Sequence, residues 1–206
     1  MYAVRKEKSD MPEIKSATIT RNTLETKISM TLTIGEPVCR LYGSSGIGFF
    51  DHMLNSFCVH GGFAIRLECE GDIYVDGHHT VEDCGIVLGA LFAQILGDRR
   101  GIRRFGNAKI PMDEALAEAV IDISGRPYLV FDADFTSPMT GEYDNQLTLE
   151  FFRALAFNMG ATLHMHLLYG SNDHHKTEAL YKAAAHAIAM AIESKGNTVL
   201  SAKGIL

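Results

Sequence analysis

Two copies of one short motif hold the side chains best suited to chemistry. Asp76-Gly77-His78-His79-Thr80-Val81-Glu82-Asp83 is followed, from position 78 to position 174, by Asn172-Asp173-His174-His175-Lys176-Thr177-Glu178-Ala179. Both read His-His-x-x-Glu, and an apolar run of helical period follows each glutamate. On the first turn of a helix, the second His lies three residues and the first His four residues before the Glu, so all three share one side. Two imidazoles and a carboxylate on one face form a ligand set for a borderline first-row metal ion. One His-His pair alone reads as a solvated surface pair; the repetition in equivalent settings carries the metal reading. His52 is a natural extra ligand, with Asp51 placed to orient it, although on its own it reads as a helix-surface histidine. His60, His164, His166 and His186 read as packing or surface residues. Arg104, Arg126, Lys182 and Lys203 are singly solvated charges, and as a set they suit a phosphate.

The elements that must position these residues follow from periodicity. Ile28, Met30, Leu32 and Ile34 alternate with polar residues, so 17–34 reads as strands, with Glu25 just before the run. Gly43 to Gly48 reads as a loop, and Phe49 to His60 as a helix closed by Gly61-Gly62. Phe63 to Cys69 alternates as a strand, Ile73 and Val75 suggest a short partner strand, and a helix runs from Thr80 to Leu96. The pattern then recurs: strands at 119–124 and 128–134, a helix at 149–159, a strand at 161–169 and an alanine-rich helix at 177–192. Phe49-Phe50-Asp51-His52-Met53-Leu54 aligns with Phe151-Phe152-Arg153-Ala154-Leu155-Ala156. The expected fold is therefore α+β: an internally duplicated unit whose two β-sheets flank a central helical layer, a pseudo-twofold sandwich. The halves are 13–100 and 101–206, after a loose polar tail at 1–12.

Composition narrows the function classes. The chain has 206 residues, 47% hydrophobic and 21% charged, enough for a substantial core. A net charge of −6 argues against a nucleic-acid partner held by a basic surface. No apolar run in the sequence approaches a membrane span, so no membrane partner is expected. Cys39, Cys58, Cys69 and Cys84 show no Cys-x-x-Cys spacing and read as reduced thiols, consistent with a cytoplasmic location.

Seven segments together carry a family resemblance: Phe50-Asp51-His52-Met53-Leu54, the first His-His motif, Arg104-Phe105-Gly106, Pro111-Met112-Asp113-Glu114-Ala115-Leu116, Ser124-Gly125-Arg126-Pro127-Tyr128, the second His-His motif and Ser201-Ala202-Lys203-Gly204. In order and over nearly the whole chain, from about residue 14, they resemble imidazoleglycerol-phosphate dehydratase in its monofunctional form. The resemblance implies a lyase of histidine biosynthesis that removes water from D-erythro-imidazole glycerol phosphate to give imidazole acetol phosphate, with two Mn²⁺ per active site. It implies one ion on His52, His79, His174 and Glu178, and another on His78, Glu82, His175 and residue 150. Position 150, His in many relatives, is Glu150 here. Glu25, Glu82 and Glu178 are the implied catalytic carboxylates, with Glu25 the candidate for proton transfer. Glu25, His52, His78, Arg104, Arg126, His174, Lys182, Ser201 and Lys203 are the implied substrate contacts. The family further implies a homo-oligomer of 24 subunits with sites shared between subunits. Two other classes remain open on the residues alone, a metal-dependent hydrolase and a non-catalytic metal-binding protein.

Overall fold

The computed structural model describes residues 14–196, 198, 200 and 201. The first half runs β1 (Lys15–Asn22), β2 (Thr26–Ile34), β3 (Leu41–Ser44), α1 (Gly48–Gly61), β4 (Phe63–Gly71) and α2 (His78–Leu96). The second runs β5 (Phe105–Met112), β6 (Ala115–Asp122), β7 (Tyr128–Asp132), a small hairpin β8–β9 (Met139–Thr140, Tyr143–Asp144), α3 (Gln146–Met159), β10 (Thr162–Tyr169) and α4 (Asp173–Ala191). The two four-stranded sheets have the same topology, in orders β1-β2-β4-β3 and β5-β6-β10-β7, each ending in one parallel pair. The duplicated α+β sandwich is therefore present as expected.

Each sheet has one dry face. Ile28, Met30 and Leu32 point inward, while the Thr18 and Thr31 hydroxyls meet across β1 and β2 at 2.8 Å on the outer face. In the second sheet the inward positions of β6 are Ala115, Ala117, Ala119 and Ile121. These small side chains let α4 lie close, and its Ala183, Ala184, Ala185 and Ala187 are fully buried. The helices pair across the duplication, α1 with α4 and α2 with α3. The halves thus share one core, in which Phe50 of α1 meets Phe151 of α3 edge-to-face at 5.3 Å. Gly85 and Gly89 of α2 permit the approach of α3: a Cβ on either would stand 2.6 and 2.5 Å from the Phe151 and Leu155 carbonyl oxygens.

Several expectations need correction. Residues 73 and 75 form no strand; the Val75 N–H donates to Asp72 O at 2.8 Å in a turn. Gly43 and Ser44, expected in a loop, lie in β3. The Phe-Phe alignment is one helical turn out of register. Both α1 and α3 have fourteen residues and end on left-handed glycines, Gly62 and Gly160, so the offset is 98 rather than 102. A shift of four residues keeps apolar residues on the same helix face, so periodicity alone does not separate the two registers. In the correct register Glu150 is the counterpart of His52. Among the described residues α2 alone is long and apolar enough to cross a membrane, contrary to the expectation that no segment comes close. It packs between α3 and the first sheet, as a core helix does. The tail at 1–12 lies outside the described residues.

Candidate metal centre

Both His-His motifs open helices, and in both a polar side chain two residues upstream fixes the entry. The Asp76 carboxylate accepts the His78 N–H at 2.7 Å, and the Asn172 amide oxygen accepts the His174 N–H at 2.9 Å. Asp76, just before the N-cap Gly77, thus satisfies one free N–H of its first turn, while the N-cap Asn172 satisfies two, accepting also from the His175 N–H at 3.4 Å.

Within one chain the candidate ligands gather into two triads. His52, His174 and Glu178 form the first, and His78, Glu82 and Glu150 the second; in each, the ligand atoms lie within 4.8 Å of one another. The pairing of α1 with α4 and of α2 with α3 creates both, so each triad joins the two halves of the chain. In the first, His174 Nε2 and His52 Nε2 stand 3.4 and 3.7 Å from Glu178 Oε2. Lys182 Nζ holds the other carboxylate oxygen at 2.8 Å. Burial pushes the Glu178 carboxyl up, but Lys182, His52 and His174 outweigh it and hold the group below the usual carboxylate range. In the second, His78 Nε2 stands 4.0 Å from Glu82 Oε2, and Arg153 Nη1 donates to Glu150 Oε2 at 2.6 Å.

His79 and His175 belong to neither triad. Asp72 hydrogen-bonds His79 Nδ1 at 3.0 Å, and Glu114 hydrogen-bonds His175 Nδ1 at 2.7 Å. These bonds raise the pKa of both imidazoles and hold the Glu114 carboxyl well below its usual range. A carboxylate on Nδ1 is the arrangement that fixes the tautomer of a metal-binding histidine and leaves Nε2 to the ion. Beside the free nitrogens stand Glu25 Oε1, at 3.6 Å from His79, and Asp113 Oδ2, at 3.7 Å from His175. Glu25 lies in the β1–β2 turn and Asp113 in the β5–β6 turn, so the duplication extends to these acids. Asp113, Glu114 and Asp72 carried no assigned role in the sequence. Comparison of the two hairpin turns would have pointed to Asp113 and Glu114; no repeat marks Asp72.

The remaining candidates separate by place. Asp51 does not turn to His52; its carboxylate accepts the Ser45 N–H at 2.7 Å and the Ser45 hydroxyl at 2.6 Å, bracing the loop before α1. Arg104 and Arg126 converge on Asp122. Arg104 makes a two-pronged bond through Nε at 2.7 Å and Nη2 at 3.0 Å, and Arg126 Nη2 stands 3.8 Å away. Arg104 also donates to the Leu200 carbonyl, which brings Ser201 to the same corner. Arg104 sits at φ 74, a conformation that costs a non-glycine residue free energy and clusters at functional sites. Lys182 is not at this corner, and Lys203 lies outside the described residues. His60 and His186 pack at 5.5 Å beside Lys182; burial, then Lys182 and His186, lower the His60 pKa. A cavity of about 800 Å³ opens beside His174, between the starts of α1 and α2 and the β8–β9 hairpin.

The donor sets suit a divalent first-row metal ion, manganese among them. Imidazole suits a borderline ion and carboxylate a harder one, and three donors each leave positions open for a further ligand, water or substrate. Three imidazoles with three carboxylates, taken over both triads, is the balance of a nitrogen-and-oxygen site rather than of a thiolate one.

The chain is similar to known proteins of one family. The family profile for imidazoleglycerol-phosphate dehydratase matches residues 45–188. The enzyme of that name from Lacticaseibacillus casei is 49% identical over 195 residues, which cover 94% of this chain and all of the relative. The one from Methanosarcina mazei is 50% identical, over 91% of this chain and 97% of the relative. The crystal structure of the Staphylococcus aureus enzyme superposes with a TM-score of 0.78 at 36% identity, covering 88% of this chain and 99% of that one. The Pyrococcus furiosus structure gives a TM-score of 0.79 at 32% identity, covering 91% and 100%.

Proposed function

The chain belongs to the imidazoleglycerol-phosphate dehydratase family, a family of lyases in histidine biosynthesis, and we propose that it removes water from D-erythro-imidazole glycerol phosphate at a di-manganese centre. The observation that carries the metal reading is the sorting of ligands into two pseudo-symmetric triads while two carboxylate-backed histidines stand apart. We infer that a second copy completes each site. His79 would join His52, His174 and Glu178, and His175 would join His78, Glu82 and Glu150. A triad with room for one more donor, and a carboxylate-oriented histidine outside both triads, complement each other between copies. The homo-oligomer with shared sites, 24 subunits in the family's pattern, is part of this reading. The four free cysteines support its cytoplasmic location.

When bound, the manganese ions supply Lewis acidity toward the substrate imidazole and a template for its orientation. The chain's own groups do the rest. Glu25, half-exposed on its turn beside His79, holds a carboxylate where it can take or return a proton. Glu82 and Glu178, one in each triad, are ligands and proton acceptors in this reading. Arg104 and Arg126, with Ser201, offer donors for the substrate phosphate at the Asp122 corner, and Lys203 completes that set in the proposal. Lys182, bound to Glu178, acts through that carboxylate.

The test is turnover. Purified protein with Mn²⁺ and imidazole glycerol phosphate is expected to yield the ketone, imidazole acetol phosphate. Chelation should stop the reaction and added Mn²⁺ restore it. Product formation unaffected by complete metal removal, or no product with two Mn²⁺ bound, would overturn the reading.

A further inference from the structure

The duplication places His52 and Glu150 at equivalent points of α1 and α3, so the two triads are built alike but differ in one donor. The first offers two imidazoles and one carboxylate, and Lys182 neutralises that carboxylate from its outer oxygen at 2.8 Å. The second offers one imidazole and two carboxylates, with a single guanidinium, Arg153, on the outer oxygen of Glu150 at 2.6 Å. Counting fixed charges with imidazoles neutral, the first triad with its cation is neutral and the second carries one negative charge. The outer grip also decides geometry: Glu150 is left with Oε1 for an ion, as Glu178 is left with Oε2 beside its histidines.

Resting on the metal reading above, we propose that the two metal positions of this chain are chemically inequivalent. The Glu150 triad is the harder, more anionic position and retains Mn²⁺. The His52 triad is the softer one and exchanges Mn²⁺ first for a nitrogen-preferring ion. Imidazole and carboxylate donors differ in this sense, and a net negative charge favours a hard divalent cation of modest intrinsic affinity. The inequivalence is a property of this sequence, because it turns on Glu150.

The test uses assembled, full-length protein loaded with Mn²⁺ and challenged with increasing Zn²⁺, with manganese read by electron paramagnetic resonance and elemental analysis. The expected result is a two-step displacement with a plateau at about one Mn²⁺ per chain, because the softer triad exchanges first. Glu150→His makes both triads two-imidazole sites, so the plateau should vanish. Glu150→Gln keeps the size of the side chain and removes its charge, so the second step should move to lower Zn²⁺. Single-step displacement in the wild type, or a plateau unchanged in Glu150→His, overturns the inference while leaving a di-manganese centre standing. A wild-type chain that binds no manganese overturns both.

Discussion

Replacing Gly85 by alanine tests how the fold builds the second triad. A Cβ at this position would stand 2.6 Å from the Phe151 carbonyl oxygen and 2.9 Å from the Ala154 Cβ, both on α3. Neither partner can swing aside: one is backbone, and the other is fixed to it. Relief requires α2 and α3, the helices that carry Glu82 and Glu150, to separate locally at this contact. Overpacking of this kind costs about 1–3 kcal/mol. For a chain of this length that corresponds to a fall of roughly 2–12 °C in melting temperature. The separation should also weaken the His78, Glu82 and Glu150 position while sparing His52, His174 and Glu178, which rest on the other helix pair. Gly48→Ala is the control, because a Cβ there meets nothing within 4 Å. Thermal denaturation of the metal-free protein and a Mn²⁺ titration read both effects. A Gly85→Ala protein that melts with the wild type and binds both ions with unchanged affinity would refute the reasoning.

Three further outcomes follow from the site. Arg126→Ala, which removes a guanidinium only loosely paired with Asp122 at 3.8 Å, should weaken substrate binding by roughly tenfold to a hundredfold, the effect of about 1.5–3 kcal/mol for a charged hydrogen bond, with metals retained; Arg104→Ala should do the same and in addition lower stability, because it removes the two-pronged bond to Asp122 and the bond to the Leu200 carbonyl, and unchanged KM in either variant removes that arginine from the phosphate site. In metal-free protein the Glu114–His175 pair should stabilise the fold most between about pH 4.5 and 6.5. The depressed Glu114 carboxyl contributes above its unfolded pKa and loses that as pH falls, while the raised His175 contributes below its unfolded pKa and loses that as pH rises. The melting-temperature gap between wild type and Glu114→Gln should therefore narrow above pH 7, and a gap that widens there contradicts the pairing. Light scattering should show a large particle with Mn²⁺ and a smaller species, a trimer, after chelation; a particle size indifferent to metal would count against shared sites.

Much of the architecture was legible because the relevant signals are periodic and local. Met30 and Leu32 alternate with Ser29 and Thr31 whatever lies across the sheet, and the apolar stripe of α2 declares itself over nineteen residues. The short β3 was hidden by Gly43 and Ser44, whose composition says loop. It forms because Gly43 can run within contact of the Leu67 backbone on β4. Ile73 and Val75 alternate as a strand would, but Tyr74 and its neighbours face solvent and the segment turns instead. At the site, the ligand types and their repetition were visible in His-His-x-x-Glu. From the residues alone the partition was not, since which histidine meets which glutamate depends on α1 crossing to α4 and α2 to α3; only the family resemblance implied it. Arg153 on Glu150 was equally within reach of helical spacing, three residues apart, but nothing local distinguishes it from an ordinary surface pair. Asp72 required the fold, because no repeat marks it, and the pairing of Glu114 with His175 joins residues 61 apart in the chain.

The claim at the centre of this account is that two copies build each metal position, and mixing variants tests it most directly. A His79→Ala/His175→Ala chain keeps both triads and lends no histidine; a His52→Ala/His78→Ala chain has broken triads and keeps both histidines to lend. Each alone should be inactive. The two are dissociated together by chelation, combined, and reassembled with Mn²⁺, and dehydration of imidazole glycerol phosphate is then measured beside wild type taken through the same cycle. Recovery of activity clearly above either component is the predicted result, short of wild type because random mixing joins an intact triad to an intact donor histidine in only a minority of contacts. A mixture as inactive as its components, with wild type fully recovered, would place all the ligands within one chain and contradict the account.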